Sequence, residues 1–368
     1  MKGGDNAMKS KSIFTLLCSI IFTLCLCSVA FANNAKTEAI EFLKQATQNT
    51  VNTQNAAYSI DLSMTGPLAD CNIKLNGNYA YPVFTNGDMS LLLNLWIVDT
   101  SFKANTQYYT ELDGNVYKQY FKTQTEPKLD NDNSGIKSDQ WYVQSIKIPE
   151  DFIQNYKKEM NNNVDGIDKD IKNIFMYDAN KNTTKIYVTY NKALLDEDKL
   201  NQALSISDLN SKEMQEVNEF YQKINENKQL KEALTKQREL SYEITIDKKN
   251  MRITSVNADL SPVIYELGTD ILNNISDEKL SVNGSPINGA TVRNIIKNYL
   301  ERSKFNMTIQ LSKFNTSPVE TVPQEVKDSA IAPPKIEKIG EATDTTDILT
   351  VDTATDSLPT LEVLDNDN

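Results

Sequence analysis

The chain has 368 residues, a formal charge of −12 and no histidine. The missing histidine removes the commonest general base and metal ligand, and an acidic chain with no basic patch interleaved with aromatics excludes nucleic acid as a partner. The acidity is uneven: residues 1–32 carry +2, residues 316–368 carry −9, and the body between them only −5.

Lys9 and Lys11, an apolar run from Ile13 to Val29, and Ala30-Phe31-Ala32 make the three regions of a cleavable secretory signal. The exported chain is expected to begin at Asn33. A retained anchor would want about 20 apolar residues with charged flanks, whereas this run ends in small residues and Asn33-Asn34. Cys18, Cys25 and Cys27 lie inside the segment, each behind a leucine (Leu17, Leu24, Leu26) where lipidation needs a small residue. Cys71 is then the only cysteine left, so stability must come from a packed core rather than a disulfide. A lone thiol with no histidine to activate it reads as a strand residue rather than a nucleophile.

After the signal, Ile40, Leu43, Ala46 and Val51 recur at helical spacing and predict a helix over Ala35 to Gln54. The period then changes to two. Tyr58, Ile60, Leu62 and Met64 alternate with polar residues until Gly66-Pro67, and Ile73, Leu75, Tyr79 and Tyr81 alternate until Pro82. Met89 to Thr100 (MSLLLNLWIVDT) reads as the next strand, followed by strands near Phe102 to Glu111, Val116 to Lys122 and Trp141 to Lys147. The connections are too short for crossover helices, so these strands form an antiparallel meander.

Helices are expected over Pro149 to Asn161 and, on a single apolar stripe, Lys212 to Gln237. Between them MYDANKNTTKIYVTY, and after them YEITIDKKNMRITSVNADL, read as hairpins with polar tips. Helices over Pro262 to Asn274 and Ala290 to Ser303 and a last strand, FNMTIQLSKF, complete one α+β domain of residues 33–315. Residues 316–368, rich in Thr, Pro and Asp, read as a mostly disordered acidic tail.

The residues offer little chemistry. The mature chain has no nucleophile elbow, phosphate loop, dinucleotide fingerprint or CxxC, and no pair of carboxylates stands out by spacing. The weak metal candidate is DNDNSG, with Asp130, Asp132 and Ser134 at positions one, three and five of a calcium loop. The match fails at position twelve, where Trp141 replaces the bidentate glutamate. The chain is therefore expected to be non-enzymatic, with no cofactor and no metal site.

Met89 to Thr100 poses the sharper question. Met89, Leu91, Leu93, Leu95 and Ile97 fall on one face, and Leu92, Trp96 and Val98 on the other. Such a strand wants apolar cover on both sides. Pattern alone leaves two answers open: a central strand between packed layers, or a strand with one face lining a cavity for a greasy ligand.

Five phrases, in order, carry a resemblance: YSIDLSMTG after the opening helix, LNGNYAYP, YYTELDGNVYKQYF leading to Trp141-Tyr142, YEITIDKKNMRITSVNADLS, and the closing MTIQLSKFNTSPVETVPQEVKDSA. Over Ala35 to about Ala330 the chain resembles the LolA-like lipoprotein-carrier superfamily, nearest the LppX and LprG type of lipid-binding envelope protein and related uncharacterised secreted proteins. The resemblance implies a curved, unclosed antiparallel half-barrel with helices against it and a hydrophobic cavity that takes an acyl chain, a lipid or a lipidated protein. It offers no catalytic motif. The chain departs from that branch in lacking the lipidation cysteine, in its long helix from Lys212, and in its acidic tail.

The expectation is a secreted, periplasmic or envelope lipid-binding protein that can touch membranes peripherally and contact other envelope proteins. Ten residues are expected to wall the cavity: Tyr58, Ile60, Leu62, Leu91, Leu93, Leu95, Ile244, Ile246, Ile309 and Leu311. The alternative is a solidly packed interaction domain without lipid, meeting protein partners through its surface or tail.

Overall fold

The computed structural model describes residues 34–81, 84–96, 99–127, 137–148, 166–194, 226–273, 279–282, 285–318 and 321–333, with the single positions 154, 164 and 222. The secretory signal, the calcium-loop candidate Asp130, Asp132 and Ser134, most of the helix expected over Pro149 to Asn161, and residues 334–368 lie outside them.

Helix α1 (Asn34–Val51) leads into strands β1 (Asn55–Thr65), β2 (Ala69–Ala80), β3 (Phe84–Leu95), β4 (Thr100–Asp113), β5 (Val116–Glu126) and β6 (Tyr142–Lys147). The hairpin β7 (Ile171–Asn180) and β8 (Thr183–Ala193) follows, then α2 (Lys228–Thr235), β9 (Gln237–Asp247), β10 (Arg252–Asp259) and α3 (Ser261–Leu272). A small hairpin, β11 (Lys279–Val282) and β12 (Ser285–Asn288), precedes α4 (Gly289–Arg302), β13 (Lys304–Ser312) and α5 (Gln324–Ser329). The expected strands form, but where one was expected over Met89 to Thr100 the strand runs from Phe84 to Leu95 and Thr100 opens the next. Of the helix expected over Lys212 to Gln237, residues 212–221 and 223–225 lie outside the described residues; the described helix runs from Lys228 to Thr235, because Gln237 and Arg238 already belong to β9, where they pair with Ala193 and Lys192.

One eleven-stranded sheet takes the order β6-β5-β4-β3-β2-β1-β13-β10-β9-β8-β7 and does not close. Every pairing in it is antiparallel. The meander β1 to β6 makes one half; the hairpins β7–β8 and β9–β10 make the other, and β13 joins the two. Directly opposed residues share a face, so the register assigns every side chain to one of two sides. The result is the α+β architecture of an unclosed antiparallel sheet with helices packed against it.

Helix α1 lies against β7 and β10 on the apolar side. Ile40, Leu43 and Ala46 form one stripe and are buried with Ile186, Val188, Ile244, Ile246, Val256 and Ile309. Full burial of a side chain such as Ile40 or Leu43 is worth about 2 kcal/mol. Thr50 ties the end of the helix to the sheet: its hydroxyl donates to the Ala46 carbonyl at 2.7 Å and accepts from the Ile253 N–H at 2.9 Å. The anchor sits where β10 bulges between Ile253 and Ser255.

Gly77 on β2 faces Gly87 on β3. Over this pair the hydroxyls of Tyr58 on β1 and Tyr108 on β4 meet in a hydrogen bond across two intervening strands. The glycines make room for it. A Cβ on Gly77 would lie 2.2 Å from the Asn86 carbonyl oxygen and 2.9 Å from the Tyr58 hydroxyl. Gly77→Ala is expected to push β2 from β3 and break the tyrosine contact, lowering stability by about 1–3 kcal/mol in urea denaturation.

Arg238, at the start of β9, has a fully buried side chain beneath α2 and α3. It donates to the carbonyls of Ala233 (2.5 Å) and Lys236 (3.1 Å) and to the Asp270 carboxylate (2.5 Å). Burial alone would raise the pKa of Asp270, but hydrogen bonds from Lys236 and Arg238 outweigh it and hold the carboxyl below the ordinary range. A depressed carboxyl contributes stability above its unfolded pKa of about 3.9 and loses it as pH falls through the folded value. Asp270→Asn leaves the buried guanidinium with only the Glu266 carboxylate, 4.0 Å away, as a charged partner and is expected to cost about 3 kcal/mol at neutral pH. Denaturation midpoints should show a smaller acid-side loss below about pH 4 in this variant than in wild type.

The chain does not leave the body at Asn315, where the tail was expected to begin. Ile331 bridges to Tyr142 at the β6 edge, accepting from the Val143 N–H at 2.9 Å and donating to the Trp141 carbonyl at 3.1 Å. Val322 and Val326 bury against Tyr109, Tyr120, Trp141 and Val143. Lys327 pairs with Glu111 at 2.5 Å, and Glu111 also accepts from the Tyr120 hydroxyl, whose pKa burial pushes up to about 12. Deleting residues 319–368 is expected to uncover this cluster, red-shifting the Trp141 part of the fluorescence and lowering the midpoint of thermal unfolding.

Candidate functional site

The two faces of the sheet differ in kind. On one, Ser59, Asp61, Lys74, Asn76, Asp88, Asn105, Gln107, Lys122, Glu243 and Lys185 recur strand after strand. They are tied by pairs such as Lys74–Asp61 at 3.4 Å and Lys185–Glu243 at 2.7 Å. Such exposed pairs add little stability, but they keep that face wet. The hydrogen bonds from Lys185 and Tyr187 hold the Glu243 carboxyl below its usual range.

The other face carries no Asp, Glu, Lys or Arg from β1 to β6 or on β13 at the described positions. β1 presents Tyr58, Ile60, Leu62 and Met64, and β2 presents Cys71, Ile73 and Leu75. β3 presents Met89, Leu91 and Leu93, and β4 presents Phe102, Ala104, Thr106 and Tyr108. β5 adds Phe121 and Thr123, opposite Tyr108 and Thr106. Its polar groups are neutral: hydroxyls that satisfy each other, Tyr58 with Tyr108, Thr106 with Thr123 at 2.9 Å and Thr85 with Thr110 at 2.9 Å, and the opposed amides Gln119 and Gln144. A surface of this type attracts apolar matter and offers neutral hydrogen bonds, but no acid, base or metal ligand. Among the described residues no cluster of His, Cys, Asp and Glu could hold a metal ion.

All ten expected wall residues fall on this one face: Tyr58 faces Leu311, Ile60 faces Ile309, Leu62 faces Ile73 and through it Leu91, and Ile309 faces Val256 and through it Ile244. Their surroundings divide them. Ile60, Ile244, Ile246 and Ile309 are buried in the core beneath α1, with Tyr58 and Leu62 packed on its margin. Leu91, Leu93 and Leu311 are half-buried, and Leu95 is 38% exposed. The described helices α1, α3 and α4 pack on or beside β7, β9, β10, β12 and β13, and α5 lies on the opposite face of β4 to β6. Among the described residues none of these helices packs on the β2–β5 half of the apolar face, although Leu75, Ala104 and Tyr108 there are buried. Phe102, Ala104, Tyr108 and Phe121 belong to it and escaped sequence reasoning, because SFKANTQYYT lacks a clean apolar alternation and only its pairing with β3 sets their side.

The expectation that β3 is covered on both faces fails. Leu92 lies between Asn72 and Lys103 on the polar face and is 40% exposed, and Trp96, just past the strand end, is 55% exposed. Ile97 and Val98 lie outside the described residues. Cys71 is half-buried between Met64 and Leu93, and burial pushes its thiol up, away from reactivity.

Two clefts lie elsewhere. One of about 570 Å³ runs along the outward side of α1, lined by Glu38, Glu41, Phe42, Lys44 and Val164. The other, about 490 Å³, is lined mainly by polar-face residues including Asn76, Asp88, Asn105, Lys122 and Gln124. None of the ten residues lines either.

No protein-family model and no curated protein matches the chain. Among solved structures it is similar to LprF from Mycobacterium bovis, at 9% identity over 79% of this chain and 98% of that one, with a TM-score of 0.30. It is also similar to a beta-barrel-like protein of a domain of unknown function from Brucella abortus (9% identity, 70% of this chain and 95% of that one, TM-score 0.21). A porin-like protein from Bacteroides uniformis matches at 10% identity over 72% of this chain and 97% of that one, with a TM-score of 0.19. Overlaps this loose carry neither ligand nor activity to this chain; its own open antiparallel sheet, with helices against the apolar face, is the architecture that the LolA-like resemblance implied.

Proposed function

We propose that this is a secreted, non-catalytic envelope protein that holds an acyl chain or other lipid against the β2–β5 half of its apolar face. The observation that supports the reading is the exclusion of every carboxylate, amine and guanidinium from that face while the opposite face is rich in them. A face evolved only to be solvated would not segregate charge in this way, and one half of it is already filled by α1. The tail of the lipid would lie over Leu91, Leu93 and Phe102, where burial contributes about 25 cal/mol per Å². A neutral head would find the Thr106–Thr123 and Tyr58–Tyr108 hydroxyls. Export rests on the N-terminal signal pattern; among the described residues no helix is long and apolar enough to cross a membrane.

The test is native mass spectrometry on protein expressed from the full-length chain and purified without detergent, before and after organic extraction. The expected result is a polypeptide starting at Asn33 with a species of lipid mass that extraction removes. Leu93→Glu should lose that species with unchanged circular dichroism, whereas Ile246→Glu, in the filled half, should unfold. Bound lipid should also slow maleimide labelling of Cys71, the neighbour of Leu93. An apoprotein that takes up neither fatty acid nor phospholipid, and whose Cys71 labels at one rate throughout, would sink the proposal in favour of a packed interaction domain.

A further inference from the structure

The sheet has two edges, and the chain treats them differently. β6 is bridged by Ile331 and packed by α5, whereas β7 has no strand on its outer side among the described residues. Natural edge strands are blunted by bulges, proline or charge. β7 has its bulges only at the ends, between Ile171 and Asn173 and between Asp178 and Asn180. The regular stretch between them, residues 173–177 (NIFMY), contains no charge, proline or glycine. Ile174 and Met176 pack on the core margin. Phe175 and Tyr177 point the other way, 62% and 37% exposed; the Tyr177 ring lies 5.9 Å from that of Phe175 and 6.0 Å from that of the 43% exposed Tyr187, centroid to centroid. The Tyr109–Trp141 cluster on that side of the sheet is covered by α5, whereas these three aromatics stand beside an edge that no described strand caps.

We infer that β7 pairs antiparallel with β7 of a second copy of this chain, about a two-fold axis at Phe175. The register follows from the residues. Opposed residues of an antiparallel pair share a face, so the axis must pass through a residue position for core side to meet core side. An axis at Ile174 would set Met176 against Lys172, and one at Met176 would set Ile174 against Asp178, each placing a charge on an apolar contact. The axis at Phe175 sets Ile174 against Met176 on the core side, and Phe175 against itself and Asn173 against Tyr177 on the other. Lys172 of one copy comes abreast of Asp178 of the second, opposite in sign. The contact is isologous and closes as a dimer, with main-chain hydrogen bonds extending the sheet and the aromatic clusters of both copies covering each other.

Light scattering coupled to size exclusion, run on the full chain over a concentration series, is expected to give twice the chain mass. Phe175→Lys, an exposed substitution that sets like charges across the axis, should reduce it to the single-chain mass with unchanged circular dichroism. In a Cys71→Ser background, Phe175→Cys places two thiols at a Cα separation of about 4.5–5.5 Å, within disulfide reach, so mild oxidation should cross-link it. Tyr177→Cys, about 13 Å from its mate, should not cross-link. A single-chain mass at every concentration overturns the inference. So does a dimer that survives Phe175→Lys or cross-links through position 177, since the copies would then meet elsewhere or in another register. None of these readouts depends on whether lipid is bound.

Discussion

The alternation of side chains across an unbroken antiparallel register is the constraint from which the other properties follow. Because opposed residues share a face, a charge placed on the wrong side of any one strand would lie beside apolar neighbours on two others, at a cost of several kcal/mol if left unpaired. From β6 to β1 the described residues contain no such error. The single buried guanidinium on the apolar side, Arg238, stands at the far end of β9, where two carbonyls and the Asp270 carboxylate meet it.

A face this wide cannot be covered by one helix. Helix α1 fills the part over β7 to β10, where Ile40 and Leu43 meet Ile186, Ile244 and Ile246. The Tyr58–Tyr108 contact over Gly77 and Gly87 lies toward the other half, between filled core and half-buried surface. Beyond it Leu91, Leu93 and Phe102 are half-buried beside hydroxyls that satisfy one another. Solid core supplies stability on one side, and the charge-free surface proposed to hold lipid lies on the other. The same strands contribute to both, so the proposal separates stability from binding by where along the sheet a charge is introduced.

The edges show a second economy. An open sheet leaves two rows of unpaired backbone groups. One row is met within the chain by the segment around Ile331, held by Val326 and the Lys327–Glu111 pair. At the other, the uncharged NIFMY stretch with its exposed aromatics is where we infer that a second copy pairs.

The strands, the meander of the first six and the common face of the ten residues expected to wall a cavity were legible in the sequence, because period-two alternation is a local property written into each segment. The sequence also indicated that one cysteine outside the expected signal segment and no histidine would leave little room for nucleophilic chemistry. It did not determine where packing stops. The end of α2 at Thr235, the docking of residues 321–331 against β6, and the exposure of Leu92 and Trp96 all depend on which segments meet across long stretches of chain. The division of the ten residues into core and surface was decided only in three dimensions: β13 joins β1 to β10, α1 crosses over one half, and Ile246 is sealed while Leu93 is not. Alternation says which side a residue faces; only tertiary packing decides whether anything already stands there.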